Sequence, residues 1–191
     1  DLALEVPPER NLAMNRVLRS FSAALGLAAA LAVSAVANAG PAQDLVQARR
    51  SEVASKLKEA PSNERDKKVA AVLGQMFDFD TMGKTSLGKH WETLSEAQRT
   101  EFLALLGQLV QRSIEKNVRT TMNYDVDWTG EEAGDGGTLV KSKAKKNEKD
   151  DPIAIDYLLT ESDGWRVVDI VTEGSSMVGT YRSQFRRIME K

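Results

Sequence analysis

The chain has 191 residues, with 26 Lys and Arg against 28 Asp and Glu, a formal net charge of −2 and a single histidine. So balanced a charge supplies no field that would draw it to nucleic acid or to an anionic membrane. There is no cysteine, which excludes a disulfide framework, thiolate chemistry and any Cys-ligated metal.

Residues 1–13, with Pro7-Pro8 and mixed charges, read as an extension upstream of an initiator Met14 and are assigned no structure. Met14 to Arg19 is short and basic, Phe21 to Val36 is almost wholly Ala, Leu and Val, and Ala37-Asn38-Ala39 puts small residues at cleavage positions. That is the layout of a secretory signal peptide over residues 14–39. The apolar run falls short of the roughly 20 residues that span a bilayer, which favours cleavage over anchoring. Without a cysteine at the site, a lipid-modified terminus is excluded. Cleavage after Ala39 leaves residues 40–191, which suits one domain with a sizeable core.

Leu45, Val46, Arg49, Val53 and Leu57 fit a first helix that stops at Ala60-Pro61. Ser62 caps a second, with Val69, Val72, Leu73 and Met76 on one face. Phe77 to Leu87 forms a short third helix closing at Gly88. Ser95-Glu96-Ala97-Gln98 is a capping box, in which hydroxyl and amide satisfy free backbone amides reciprocally. It opens the longest helix, whose apolar face (Phe102, Leu105, Leu106, Leu109, Val110, Ile114, Val118) is broad enough to touch more than one side.

The period then becomes two. Tyr124, Val126 and Trp128 alternate with Asn123, Asp125 and Asp127 as a half-buried strand. Asp135-Gly136-Gly137 turns the chain into a second strand, Thr138 to Lys146, with Lys141, Lys143 and Lys145 outward. Ile153, Ile155, Tyr157 and Leu159 form a third, and Asp163-Gly164 is a hairpin turn into a fourth. A two-residue loop pairs Leu159 with Val168 and Tyr157 with Ile170; a three-residue loop pairs Leu159 with Val167. Past Gly174, the large apolar residues Met177, Val178, Tyr181, Phe185 and Ile188 take helical spacing. The fold class is therefore α+β, with helices packed on one face of a four-stranded antiparallel sheet.

No catalytic constellation stands out. His90 has no second His or Cys with which to share a metal, and it reads as structural. Asp78 and Asp80 read as helix-start carboxylates. Asp169, in an otherwise apolar strand, is expected to pair with Arg182 or Arg186, because an unpartnered buried carboxylate is costly. Phosphate loops and nucleophile elbows are absent.

Three blocks near the C-terminus carry a resemblance: Trp165-Arg-Val-Val-Asp169, Glu173-Gly-Ser-Ser176 and Tyr181-Arg-Ser-Gln-Phe185. With Phe77-Asp-Phe-Asp-Thr-Met82, Leu87-Gly-Lys-His-Trp91 and Ser95-Glu-Ala-Gln98, they make most of residues 44–190 similar to the MlaC, or toluene-tolerance, family of periplasmic phospholipid-binding proteins. Ser175 departs from the Val usual there. The resemblance implies an apolar cavity between helices and sheet that holds acyl chains, with the headgroup near solvent. It also implies no enzyme activity and no cofactor beyond phospholipid as cargo. As partners it implies an inner-membrane ABC transporter complex and an outer-membrane lipoprotein–porin complex. The expected protein is a periplasmic monomer shuttling lipid between them. Pocket candidates, from the apolar stripes and the matching segments together, are Phe79, Met82, Leu87, Trp91, Phe102, Leu106, Leu109, Val110, Ile114, Tyr157, Val178, Tyr181 and Phe185. Phe102, Leu106 and Leu109 are expected along the tails and Tyr181 nearer the mouth. An NTF2-like small-ligand binder or enzyme, and a carrier of another apolar lipid such as a hopanoid, remain alternatives.

Overall fold

A computed structural model describes residues 39–190; the expected upstream extension and all but the last residue of the expected signal peptide lie outside the described residues. Four α-helices come first: α1 (Pro41–Leu57), α2 (Asn63–Met76), α3 (Phe79–Leu87) and α4 (Glu96–Thr121), with a 3₁₀ turn, Gly88–Thr93, between the last two. Strands β1 (Asp125–Gly134), β2 (Gly137–Lys145), β3 (Ile153–Glu161) and β4 (Trp165–Thr172) follow, then a two-residue β5 (Ser175–Ser176) and a closing helix α5 (Met177–Met189). No described helix is long and apolar enough to cross a membrane.

The local chemistry explains the boundaries. Ser62 accepts from the Arg65 amide at 3.1 Å and starts α2. Asp78 accepts from the Thr81 amide at 2.9 Å and starts α3. The capping box of α4 is complete: Gln98 N–H donates to Ser95 Oγ at 3.3 Å, and Ser95 N–H donates to Gln98 Oε1 at 2.9 Å. Gly88 ends α3 at φ +55°, a conformation that costs glycine little.

The sheet is antiparallel in the order β1-β2-β3-β4-β5, one short strand more than the alternation suggests. The extra strand comes from a tight turn at Glu173-Gly174, with φ +49° and +74°, which pairs Thr172 with Ser175. Two consecutive positive φ values are what a type I′ hairpin turn requires. At the β3–β4 hairpin, Glu161 faces Trp165, so the loop is the three residues Ser162, Asp163 and Gly164, and Leu159 pairs with Val167. The register then shifts at Val168, and Tyr157 faces Ile170, as a two-residue loop would have placed it. A β-bulge thus satisfies both registers in turn, keeping Leu159, Val167, Tyr157 and Ile170 all buried.

The core lies between the helices and one sheet face. Val46, Val53, Val69, Leu73, Met82, Leu106, Val110, Val140, Leu159 and Val167 are almost wholly removed from water. The joint between α2 and α3 is fastened to the sheet, with Asp78 N–H donating to the Val167 carbonyl at 3.0 Å beside a Phe77–Val167 bridge.

Candidate functional site: an apolar cavity between helices and sheet

On β3, Ile153, Ile155 and Tyr157 are two residues apart and point to one face. On α4, Ile114, Val118 and Thr121 recur at helical spacing, and α1 and α2 bring Val53, Leu73 and Met76. With Ile170 and Thr172 of β4, these residues enclose a cavity of about 190 Å³. Its walls are chiefly apolar. Arg50 is the one charged residue lining it, beside Asn117, Thr120 and Thr121. Arg50 Nη2 donates to both the carbonyl and the hydroxyl of Thr121 at 3.3 Å, which ties α1 to the end of α4.

Tyr157 projects into this apolar space, with its ring stacked on Trp128 at 6.0 Å between centroids. Burial pushes its phenol above the ordinary range, and the nearby Arg50 charge offsets this only in part. A second pocket of about 220 Å³ shares Ile114, Asn117, Ile170 and Thr172 with the cavity and extends it to Met177 and Tyr181. Burial also raises the Tyr181 phenol, opposed by a hydrogen bond with Ser113.

The structure distributes the sequence-derived candidates over four environments. Ile114 and Tyr157 line the cavity, and Tyr181 lines its extension. Leu87, Phe102 and Phe185 border a separate groove between α3, α4 and α5. Phe79, Met82, Trp91, Leu106, Val110 and Val178 pack in the interior. Leu109 is 40% exposed and Leu105 56%, because the buried stripe of α4 runs through Leu106, Val110, Ile114 and Val118 and leaves that flank uncovered. The lining residues not singled out in the sequence had visible signals: Ile153 and Ile155 share the two-residue period of Tyr157, and Val53, Leu73 and Met76 sit on the apolar faces of α1 and α2. Arg50 and Thr121 gave none.

Asp169 does not pair with Arg182 or Arg186. Its carboxylate accepts from the Val178 amide at 3.0 Å, the Ile170 amide at 2.8 Å and the Ser176 hydroxyl. Ser176 Oγ in turn accepts from the Gly179 amide at 2.8 Å, so Asp169 and Ser176 together cap the start of α5. Backbone amides at a helix start satisfy the charge that an arginine was expected to meet. Among the described residues, no group of three His, Cys, Asp or Glu could hold a metal ion.

Helices laid over one face of an antiparallel sheet, with an apolar cavity left between the layers, define an α+β domain. The family model described as MlaC protein matches residues 43–191, most of the sequence, and the chain belongs to that family. Among solved structures it is similar to the phospholipid-binding protein from Ralstonia solanacearum, determined in complex with a phospholipid. The TM-score is 0.67 at 22% identity, covering 79% of this chain and 88% of that one, a likeness of fold. No curated protein matches the chain significantly.

Proposed function

We propose that this chain is a phospholipid carrier of the periplasm, with acyl chains held between the helices and the sheet and the headgroup near Arg50. The observation that carries the proposal is the cavity itself: an apolar space enclosed by two layers, with a single cation among its lining residues. Membership of the MlaC family, and the phospholipid held by a protein of the same fold, support the choice of ligand. The residues at hand suit binding and transport better than catalysis, since no acid lines the cavity and its one charged residue is Arg50.

The energetics fit a shuttle. Each CH₂ withdrawn from water is worth about 0.8 kcal/mol, so two acyl chains amount to on the order of 20 kcal/mol and cannot cross water unshielded. Transfer from a bilayer exchanges one apolar environment for another and is close to neutral. A carrier therefore needs an apolar cavity and few strong headgroup contacts. At about 190 Å³ the space is below the ~300–1,000 Å³ of pockets that enclose drug-sized ligands. Loading requires the layers to separate where Ile114 and Val118 of α4 face Ile155, Tyr157 and Ile170 of the sheet. Exchange partners in this reading are an inner-membrane ABC transporter complex and an outer-membrane lipoprotein–porin complex.

The test is loading from liposomes. The chain, expressed in full so that any leader is processed by the host, is incubated with vesicles carrying a labelled phospholipid and then separated from them. Stoichiometric label on the wild type and a severalfold loss in Ile155→Trp, which fills the cavity from the sheet side, are expected. Equal loading of a folded Ile155→Trp variant would remove the cavity from the mechanism.

A further inference from the structure

A second apolar opening, of about 340 Å³, lies where α3, the start of α4 and α5 meet, and it shares no lining residue with the cavity. Phe102 and Phe185 form its floor, their rings edge to face at 5.5 Å. Its rim is unusually bare: Leu105 is 56% exposed, Ile188 68% and Met189 41%. Apolar side chains gathered on a surface in this way generally mark a binding site.

The groove does not end in solvent. Through Leu87, Phe185 and Met189 it continues into a pocket of about 310 Å³ with a different character. Lys89, Arg182 and Arg186 line that pocket against a single acid, Glu190. Among the described residues none of these three cations has a carboxylate partner. His90 lines it too, and its Nε2 is shielded from water without a hydrogen-bond partner. Gly88 leaves space where a side chain would start: a Cβ there would be 3.5 Å from the Arg182 guanidinium, which lies close against the backbone. Polarity is thus graded: the groove is apolar except for Gln98 and Glu101 on α4, and the adjoining pocket gathers three cations without carboxylate partners.

We propose that groove and pocket together bind one single-chain anionic amphiphile. Its hydrocarbon chain lies along Phe102, Leu105, Phe185 and Ile188, and its carboxylate or phosphate head sits among Lys89, Arg182 and Arg186. A guanidinium meets either head through paired N–H donors. Both spaces reach the lower end of the size range of small-molecule sites, about 300 Å³. The site is separate from the cavity assigned to cargo and does not depend on that assignment.

The full chain, purified without detergent, is titrated below micelle-forming concentrations with palmitate, palmitoyl lysophosphatidate, palmitoyl lysophosphatidylcholine and inorganic phosphate. Methyl NMR signals of Leu105 and Ile188 report on the groove, and those of Ile114 and Ile155 on the cavity. Expected are shifts at Leu105 and Ile188, with at least one of the two anionic lipids bound about tenfold more tightly than the zwitterionic one. Comparing palmitate with lysophosphatidate tells which head the cations prefer, and phosphate alone should bind more weakly than either. Arg186→Glu, at an exposed position, should lower anionic-lipid affinity about tenfold while leaving the phospholipid content of the protein unchanged. Shifts confined to Ile114 and Ile155, equal affinity for the zwitterion, or an Arg186→Glu variant that binds as before would overturn the proposal. An empty cavity beside a groove that binds would defeat the carrier reading and leave this one standing.

Discussion

Asp169 holds the strand-to-helix joint through three hydrogen bonds, two of them from backbone amides. Its removal leaves the Val178 amide and the Ser176 hydroxyl without their acceptor, so Asp169→Ala should lower unfolding free energy by roughly 2–3 kcal/mol. Denaturant titration measures this directly, and a change under about 0.5 kcal/mol would mean water replaces the carboxylate at no cost. Tyr157 makes a different demand. Burial raises its folded-state pKa above the unfolded value of about 10. In the window between the two values the unfolded chain has lost the proton and the folded chain still holds it, so stability falls as pH rises there. Below about pH 10 the group contributes no slope. Tyr157→Phe should flatten the alkaline limb of a stability–pH curve while leaving its neutral region parallel to the wild type. An unchanged limb would assign the loss to other groups.

At the scale of elements, the capping box of α4 is the sequence signal that translated most directly, because four consecutive residues contain the whole motif. Ser95→Ala should cost about 1 kcal/mol, read as a lower thermal midpoint, since the Gln98 amide loses its acceptor. The C-cap glycine of α3 and the N-cap of α2 were legible for the same local reason. What was not legible depended on partners distant in sequence. The bulge at Val168 is invisible locally, because either hairpin register satisfies the alternation until Phe77 and Asp78 are seen docked on Val167. Leu109 shows the converse. Periodicity placed it on the broad apolar face of α4, yet the space beside it is not covered by another described element. Arg50 lines the cavity because α1 crosses the end of α4, a tertiary fact that no spacing along α1 encodes.

For the whole molecule, the helices and the sheet meet chiefly through apolar side chains, with backbone hydrogen bonding between them confined, among the described residues, to the α2–α3 joint on β4. Val46, Val69, Val110 and Ile114 of the helices share one core with Val140, Leu159, Val167 and Ile170 of the strands. In the carrier reading, the interior widens at this apolar interface while the backbone hydrogen bonds within each layer are kept. Each side that must separate presents an apolar face, so an emptied domain has a driving force to close again. Stoichiometric cargo should therefore stabilise the fold and raise the thermal midpoint, by linkage between binding and folding.

The most direct measurement is intact mass under native conditions on the chain exported by a phospholipid-making cell and purified without detergent, followed by extraction and identification of whatever is bound. The carrier account predicts one stoichiometric phospholipid, greatly reduced in Ile155→Trp. A folded protein that is empty as isolated, and stays empty after exposure to liposomes, would contradict it and make the cavity an ordinary imperfection of the core.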